Sequence, residues 1–267
     1  MAFKILLHTF RMIFGNFGQA LRVSVGPYLI AFLFAVVFLG LTDSFGLMTG
    51  QTVIDENGIP EISPVVYLLP LFLFPLIIFT TSWVAVSWHR FILLEEYAGL
   101  LPAVKDRPIW PYAGKAILLG LLIGLISLPV FAIAASVGVA AISGSQGAIP
   151  SGFPIGAGLV FVVATVLISM ISIRMGVALV GTALGKPMKF GEAFQATGKI
   201  GWVIFWLTVQ LVLINVIPSL IITWLSISAP IIAFVFNIAL NWITMMFGIS
   251  ILTTIYGHVI ENRPLVS

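Results

Sequence analysis

Cysteine is absent from the 267 residues. This excludes disulfide frameworks, thiolate metal sites and cysteine nucleophiles. Charge is nearly as scarce, at 8% of residues, while 60% are apolar. Soluble domains run at about 45–50% apolar and about 25% charged. A water-soluble fold of this length cannot hide so much apolar surface, so the soluble classes are excluded. Twelve Lys and Arg against nine Asp and Glu leave a net charge of +3, too small for a nucleic-acid footprint. No Gly-x-Ser-x-Gly and no phosphate-binding P-loop occur. No Asp or Glu falls in the middle of an apolar run, where an ion-coupled carrier uses one. The composition implies no cofactor.

What is present is apolar sequence in helix-length runs. A bilayer core about 30 Å thick takes roughly 20 residues of helix. Six runs meet this: Gly26–Thr42, Pro64–Trp88, Ala116–Ile142, Ile155–Gly181, Gly201–Leu225, and Ser228 to about Gly257. Ser63-Pro64 and Ser228 with Pro230 supply cap-and-proline starts. The reading is an all-α polytopic bundle of six transmembrane helices with cytoplasmic-side interfacial amphipathic helices, one membrane domain over 1–267. Pro70, Pro75, Pro129 and Pro218 fall inside spans and predict kinks.

Orientation follows from the loops. All twelve basic residues, from Lys4 to Arg263, lie on one side, and the loops 43–63, 143–154 and 226–229 carry none. The positive-inside rule puts the basic side, with both termini, in the cytoplasm. Residues 1–25 lack a cleavage-site pattern and read instead as an amphipathic helix. Lys4, His8, Arg11, Gln19 and Arg22 form one stripe, with Phe3, Leu6, Leu7, Phe10, Ile13, Phe14, Phe17 and Leu21 opposite. Such a helix lies in the lipid interface, docks on its own bundle, or does both. The chain also divides into three helical hairpins, 1–90, 91–175 and 176–267, closed by Arg90, Arg174 and Arg263. Asn57-Gly58 between short alternating runs predicts a small hairpin in the first external loop.

Few residues suggest chemistry. Arg174 is the basic residue set inside an apolar run, and it predicts an ion pair with Glu95, Glu96, Glu192 or Glu261, or a headgroup contact. Asn215, beside Gln210, and the pair Asn237 and Asn241 lie within the last two spans. Hydrogen bonding between helices fits them better than a substrate path. His8, His89 and His258 all fall at the basic boundary and read as interfacial hydrogen-bonders rather than metal ligands. Glu95-Glu96 is similar to the double glutamate of intramembrane CAAX-type proteases, but the arginine that should follow is missing.

Three stretches carry a family resemblance: W-x-x-x-x-W-H-R-F-x-L-L-E-E over Trp83–Glu96, R-x-x-x-x-L-x-x-x-A-L-G-K-P-x-x-F-x-E-A-F-x-A-T over Arg174–Thr197, and Ile255-Tyr256-Gly257-His258 with Glu261 and Arg263. The chain resembles uncharacterised six-span proteins of alphaproteobacterial inner membranes. It is similar in layout to the membrane domain fused to some glycerophosphodiester phosphodiesterases, without their soluble catalytic domain. The resemblance implies fold and location, and no activity. The expected function is a non-enzymatic scaffold, accessory subunit or assembly factor, with membrane lipids and other membrane proteins as partners. The second reading is a transporter or lipid-handling protein using Arg174, Asn215, Asn237 and Asn241.

The topology is testable by impermeant thiol labelling of single cysteines placed at Asn57 and Ser145. Both should react from the external face. Labelling of the Asn57 position only from the cytoplasmic face overturns the orientation.

Overall fold

In the computed structural model, residues 1–44, 63–144 and 155–265 are described. Helix α1 covers Ala2–Gly15, α2 Phe17–Leu41, α3 Leu69–Leu94, α4 Ile109–Gly144, α5 Ile155–Ala183, α6 Phe190–Ala196, α7 Gly201–Ser228 and α8 Pro230–Val259. Short 3-10 turns, Pro64–Leu68 and Thr197–Ile200, lead into α3 and α7. No strand occurs among the described residues. Six helical stretches are long and apolar enough to cross a membrane, which is the helical membrane bundle expected from the runs. The predicted Asn57-Gly58 hairpin and nearly all of the 143–154 loop lie outside the described residues.

Several boundaries move, for physical reasons. The amphipathic pattern of residues 1–25 does not form one helix, because the chain breaks at Asn16. The first span then starts nine residues before Gly26, at Phe17. Polar Gln19 does not end it: the side chain is buried and its amide donates to Ala98 O at 2.9 Å. Pro27 stays inside the helix. Pro70 produces no internal kink, since the 3-10 turn places it in the first turn of α3, where its missing N–H is not needed.

Residues 16–113 form one compact unit, and residues 1–15 with 114–267 form another. In the first, α2 packs along α3. Small residues of α2, Ala20, Gly26 and Ala31, are buried, as is every residue from Ser82 to Val86 of α3. Tyr28 Oη lies 3.3 Å from Thr81 Oγ1, and Trp83 Nε1 donates to Pro102 O at 3.1 Å. Gly26 has no room for a side chain: a Cβ there would stand 1.9 Å from Leu100 O. The loop after α3 is therefore pressed onto α2.

In the second unit, α5 packs on α6, α7 and α8, and α7 packs on α8. Val177, Ala178 and Val180 of α5, Ile204 and Leu207 of α7, and Met246, Ile251 and Ile255 of α8 are buried. Helix α1 docks on α7 and α8 through Ile5, Thr9 and Ile13, with Thr9 Oγ1 3.4 Å from Thr254 Oγ1. Of the two arrangements open for the N-terminal helix, docking on its own bundle is therefore present. Phe3, Phe10 and Phe14 remain exposed along it.

Gly26→Ala should lower the detergent melting temperature by several degrees, since overpacking against backbone costs about 1–3 kcal/mol. Gly120→Ala, where nothing lies within 4 Å of the added carbon, is the control. It should leave the melting temperature unchanged or slightly higher. Equal behaviour of the two variants in a thermal shift assay contradicts the close approach at Gly26.

Candidate functional site

Arg174 lies on α5, in the last three turns before the helix ends at Ala183. Its Nη2 donates to Phe194 O at 2.6 Å and its Nε to Thr197 Oγ1 at 3.2 Å. The guanidinium stacks on the Phe194 ring, 3.5 Å from the centroid. Phe194 is in the last turn of α6, where helix carbonyls run short of onward backbone partners. Arg174 thus acts as a cationic clamp on that helix end, favourable both for the hydrogen bonds and for the helix dipole.

Among the described residues of its own unit, no carboxylate pairs with Arg174. Glu192 spends its carboxylate on Lys189 N at 2.8 Å, at the start of α6, and Glu261 pairs with Arg263 at 2.7 Å. Glu96 is occupied by Arg90 and Arg107. A peptide carbonyl takes the place of the acid: Phe194 O accepts from Arg174 Nη2 and also from Thr197 Oγ1 at 3.1 Å.

Lys115 repeats this solution and escaped the sequence reading, which counted it only as a loop charge. Its ammonium donates to Met188 O at 2.7 Å and Thr182 Oγ1 at 2.9 Å, and lies 5.9 Å from the Phe190 ring centroid. Gly181 makes room for the turn that carries Met188: a Cβ there would be 2.6 Å from Lys186 O. Arg174 and Lys115 together hold the 184–197 segment against α4 and α5.

Among the histidines, His89 is buried in the first unit with Nε2 3.3 Å from Tyr112 Oη. His258 Nδ1 lies 3.0 Å from Arg263 O in the second unit. Among the described residues no group of three His, Cys, Asp or Glu side chains converges on a point.

The asparagines are exposed, and their amides bond within their own helices. Asn215 is exposed on α7, and its Nδ2 donates back to Leu211 O at 2.8 Å. Asn237 and Asn241 are exposed on α8, where Asn241 Nδ2 donates to Asn237 O at 2.8 Å and Asn237 Oδ1 at 2.6 Å. Their hydrogen bonds are therefore intrahelical, which corrects the expectation of glue between the last two spans. Asn215 instead lines a groove of about 650 Å³ between α5 and α7, with Thr165, Ser169, Thr208, Ser219 and Thr223 as its other polar residues. The four-residue spacings Thr165/Ser169 and Asn215/Ser219/Thr223 were the available sequence signal for this stripe.

No family model, curated protein or solved structure matches this chain. Its description rests on six apolar helices of membrane-crossing length and on the geometry above.

Arg174→Met should release the end of α6 and cost about 2 kcal/mol, the scale of hydrogen bonds to a charged group. The melting temperature should fall while co-purified lipid stays constant. Arg174→Lys, with a single-point donor, should fall between wild type and Met. Loss of bound lipid without loss of stability contradicts the clamp and restores the headgroup role.

Proposed function

We propose that this chain is a non-enzymatic integral membrane protein serving as a scaffold, accessory subunit or assembly factor of a membrane complex. The same proposal places it in a bacterial inner membrane with both termini in the cytoplasm, on the strength of the one-sided basic loops and of the motif resemblance.

The observation that carries the functional reading is the exposed polar row on the α7 and α8 spans. Amides at membrane depth find no partners in lipid, and an exposed helix face bearing them is stabilised by a second helix that returns the hydrogen bonds. Asn215 donates from its amide nitrogen within its own helix, and the residue stays exposed with its amide oxygen available as an acceptor. Around it Leu213, Ile217, Leu220 and Trp224 present apolar surface at similar exposure. An apolar helix face with a few spaced amides and hydroxyls suits a partner transmembrane helix. The transporter or lipid-handling reading uses the same α5–α7 groove, whose polar stripe would then face a ligand.

Photo-crosslinking in native membranes separates the two. A benzophenone side chain at Ser219 or Ile238 should yield one stoichiometric protein adduct, and Asn215→Leu and Asn237→Leu should reduce it several-fold. A probe at Leu121, on the exposed face of α4, is the control. Adducts formed only with lipid or a retained small molecule, unaffected by the asparagine changes, reject the partner-protein reading in favour of the carrier.

A further inference from the structure

Helix α1 carries three faces where its sequence pattern shows two. Ile5, Thr9 and Ile13 are buried against α7 and α8. Phe3, Phe10 and Phe14 follow one another at spacings of seven and four, which is a single helical stripe. Lys4 and Arg11, each one residue further on, form a second stripe about 100° around the helix. Phe3 is 63% exposed and Phe10 48%, and both cations are exposed. The apolar half of the pattern is thus divided. Part of it is taken up by the bundle, and the aromatic part stays uncovered.

The stripes have definite places along the last span. Thr9 Oγ1 lies 3.4 Å from Thr254 Oγ1, five residues short of the Val259 end of α8. The Phe10 ring instead lies 6.2 Å from the ring of Phe247, twelve residues short of that end. The aromatic stripe is therefore on the side of α1 nearer the middle of the span. The apolar stretch Ile231–Val259 has 29 residues and is about 43 Å long, against about 30 Å for a bilayer core. Centred in that core, it brings the hydrocarbon boundary to the level of Thr254 and leaves Phe247 about 10 Å inside. Helix α1 then lies at the boundary with its rings on the acyl side.

Charge suits the other side of that boundary. No Asp or Glu occurs in Ala2–Gly15. Among the described residues Lys4 and Arg11 make no ion pair or hydrogen bond through their side chains. The two acids of the same unit bond elsewhere, Glu192 to Lys189 N and Glu261 to Arg263. Rings that sink into the acyl boundary beside basic residues at the surface suit an anionic lipid interface, where each cation is attracted by the headgroups.

We propose that α1 is a membrane-surface anchor, held to α7 and α8 by one face and binding an anionic phospholipid leaflet with the other two. Phe3, Phe10 and Phe14 enter the acyl boundary, and Lys4 and Arg11 contact the headgroup phosphates. Neither contact draws on the asparagine row of α7 and α8.

The absence of cysteine lets single nitroxide labels report on the two stripes in the full-length protein. Phe3→Cys, Phe10→Cys, Lys4→Cys and Arg11→Cys are labelled one at a time and reconstituted into vesicles of phosphatidylcholine with one quarter phosphatidylglycerol. Collision with oxygen should dominate at positions 3 and 10. Collision with a neutral nickel chelate should be several-fold greater at positions 4 and 11. Headgroup-photoactivatable phosphatidylglycerol should crosslink to residues 1–15 several-fold more than the matching phosphatidylcholine. Lys4→Gln combined with Arg11→Gln should bring the two yields together, and Lys186→Gln, an exposed cation elsewhere in the same unit, should leave their ratio unchanged. Positions 3 and 4 repeat the comparison of 10 and 11, so the loss of one variant to misfolding leaves the test intact. Nickel collision as frequent at the phenylalanine positions as at the basic ones overturns the membrane placement. Phenylalanine positions closed to both reagents overturn it as well, and mark a protein cover over the stripe. Equal crosslinking of the two lipids to the wild type, or a preference that survives the double substitution, overturns the anionic headgroup as the ligand.

Discussion

Hydrocarbon offers no hydrogen-bond partner, so each polar group carried into a span must be satisfied by the chain itself. This constraint explains much of the local chemistry of the long helices, with Gln210 Oε1 of α7 a buried exception. Ser127 donates to Ile123 O, Thr165 to Phe161 O, Ser219 to Asn215 O and Thr253 to Ile249 O, each one turn back on its own helix. Such side chains compete with backbone bonding in water, but in an apolar span they simply double up on a carbonyl that has a second lone pair. The amides follow the same rule as far as their geometry allows. Asn241 folds onto Asn237, and Asn215 onto Leu211. An amide has more capacity than one helix can absorb, which makes the exposed asparagines informative in a way that the hydroxyls are not.

Charges meet the constraint differently according to what lies within reach. Arg90 and Arg263 lie where a helix turns out of its span, next to Glu96 and Glu261, and take carboxylates. Arg174 and Lys115 lie deeper along their helices and take carbonyl oxygens of the segment that follows α5. Those oxygens are available because α6 is only seven residues long and the turn before it is irregular, so several peptide groups there lack helical partners. A cation and an unsatisfied carbonyl are each costly alone in a low-dielectric setting, and each removes the other's cost.

The same logic marks the boundary of what the residues alone make legible. Six spans, the cap-and-proline starts and the restriction of charge to helix ends are patterns of composition, and composition along a helix-length window decides membrane insertion. Partner choice is not such a pattern. Arg174 looks for an acid when only side chains are considered, because a backbone carbonyl has no letter in the sequence. Gln19 reads as the polar edge of a span, yet Ala98 O folds in beside it and the helix runs on through. The break at Asn16 is equally invisible, since the residues on both sides continue one amphipathic pattern; the helical path is divided because the two sides pack in different units. Lys115 was visible as a charge and hidden as a contact.

Glycine supplies the link between the spans and the polar features at their ends. At Gly26 a loop carbonyl comes closer to the helix than any side chain would permit, and at Gly181 the turn after α5 does the same. In each case a bare patch of helix lets an irregular segment lie flat against it, and the flattened segment then brings its polar groups within reach of a basic residue. Pressed onto Gly26, the 95–107 loop sets Arg107 across from Arg90; folded over Gly181, the 184–189 turn sets Met188 O against Lys115. The two outcomes differ in charge. The Lys115 contact is complete once its carbonyl and hydroxyl are supplied, with Glu192 near enough to contribute. The Arg90–Glu96–Arg107 arrangement gathers two guanidiniums on one carboxylate. Packing of backbone against glycine thus fixes the position of the basic groups and which polar atoms come within their reach.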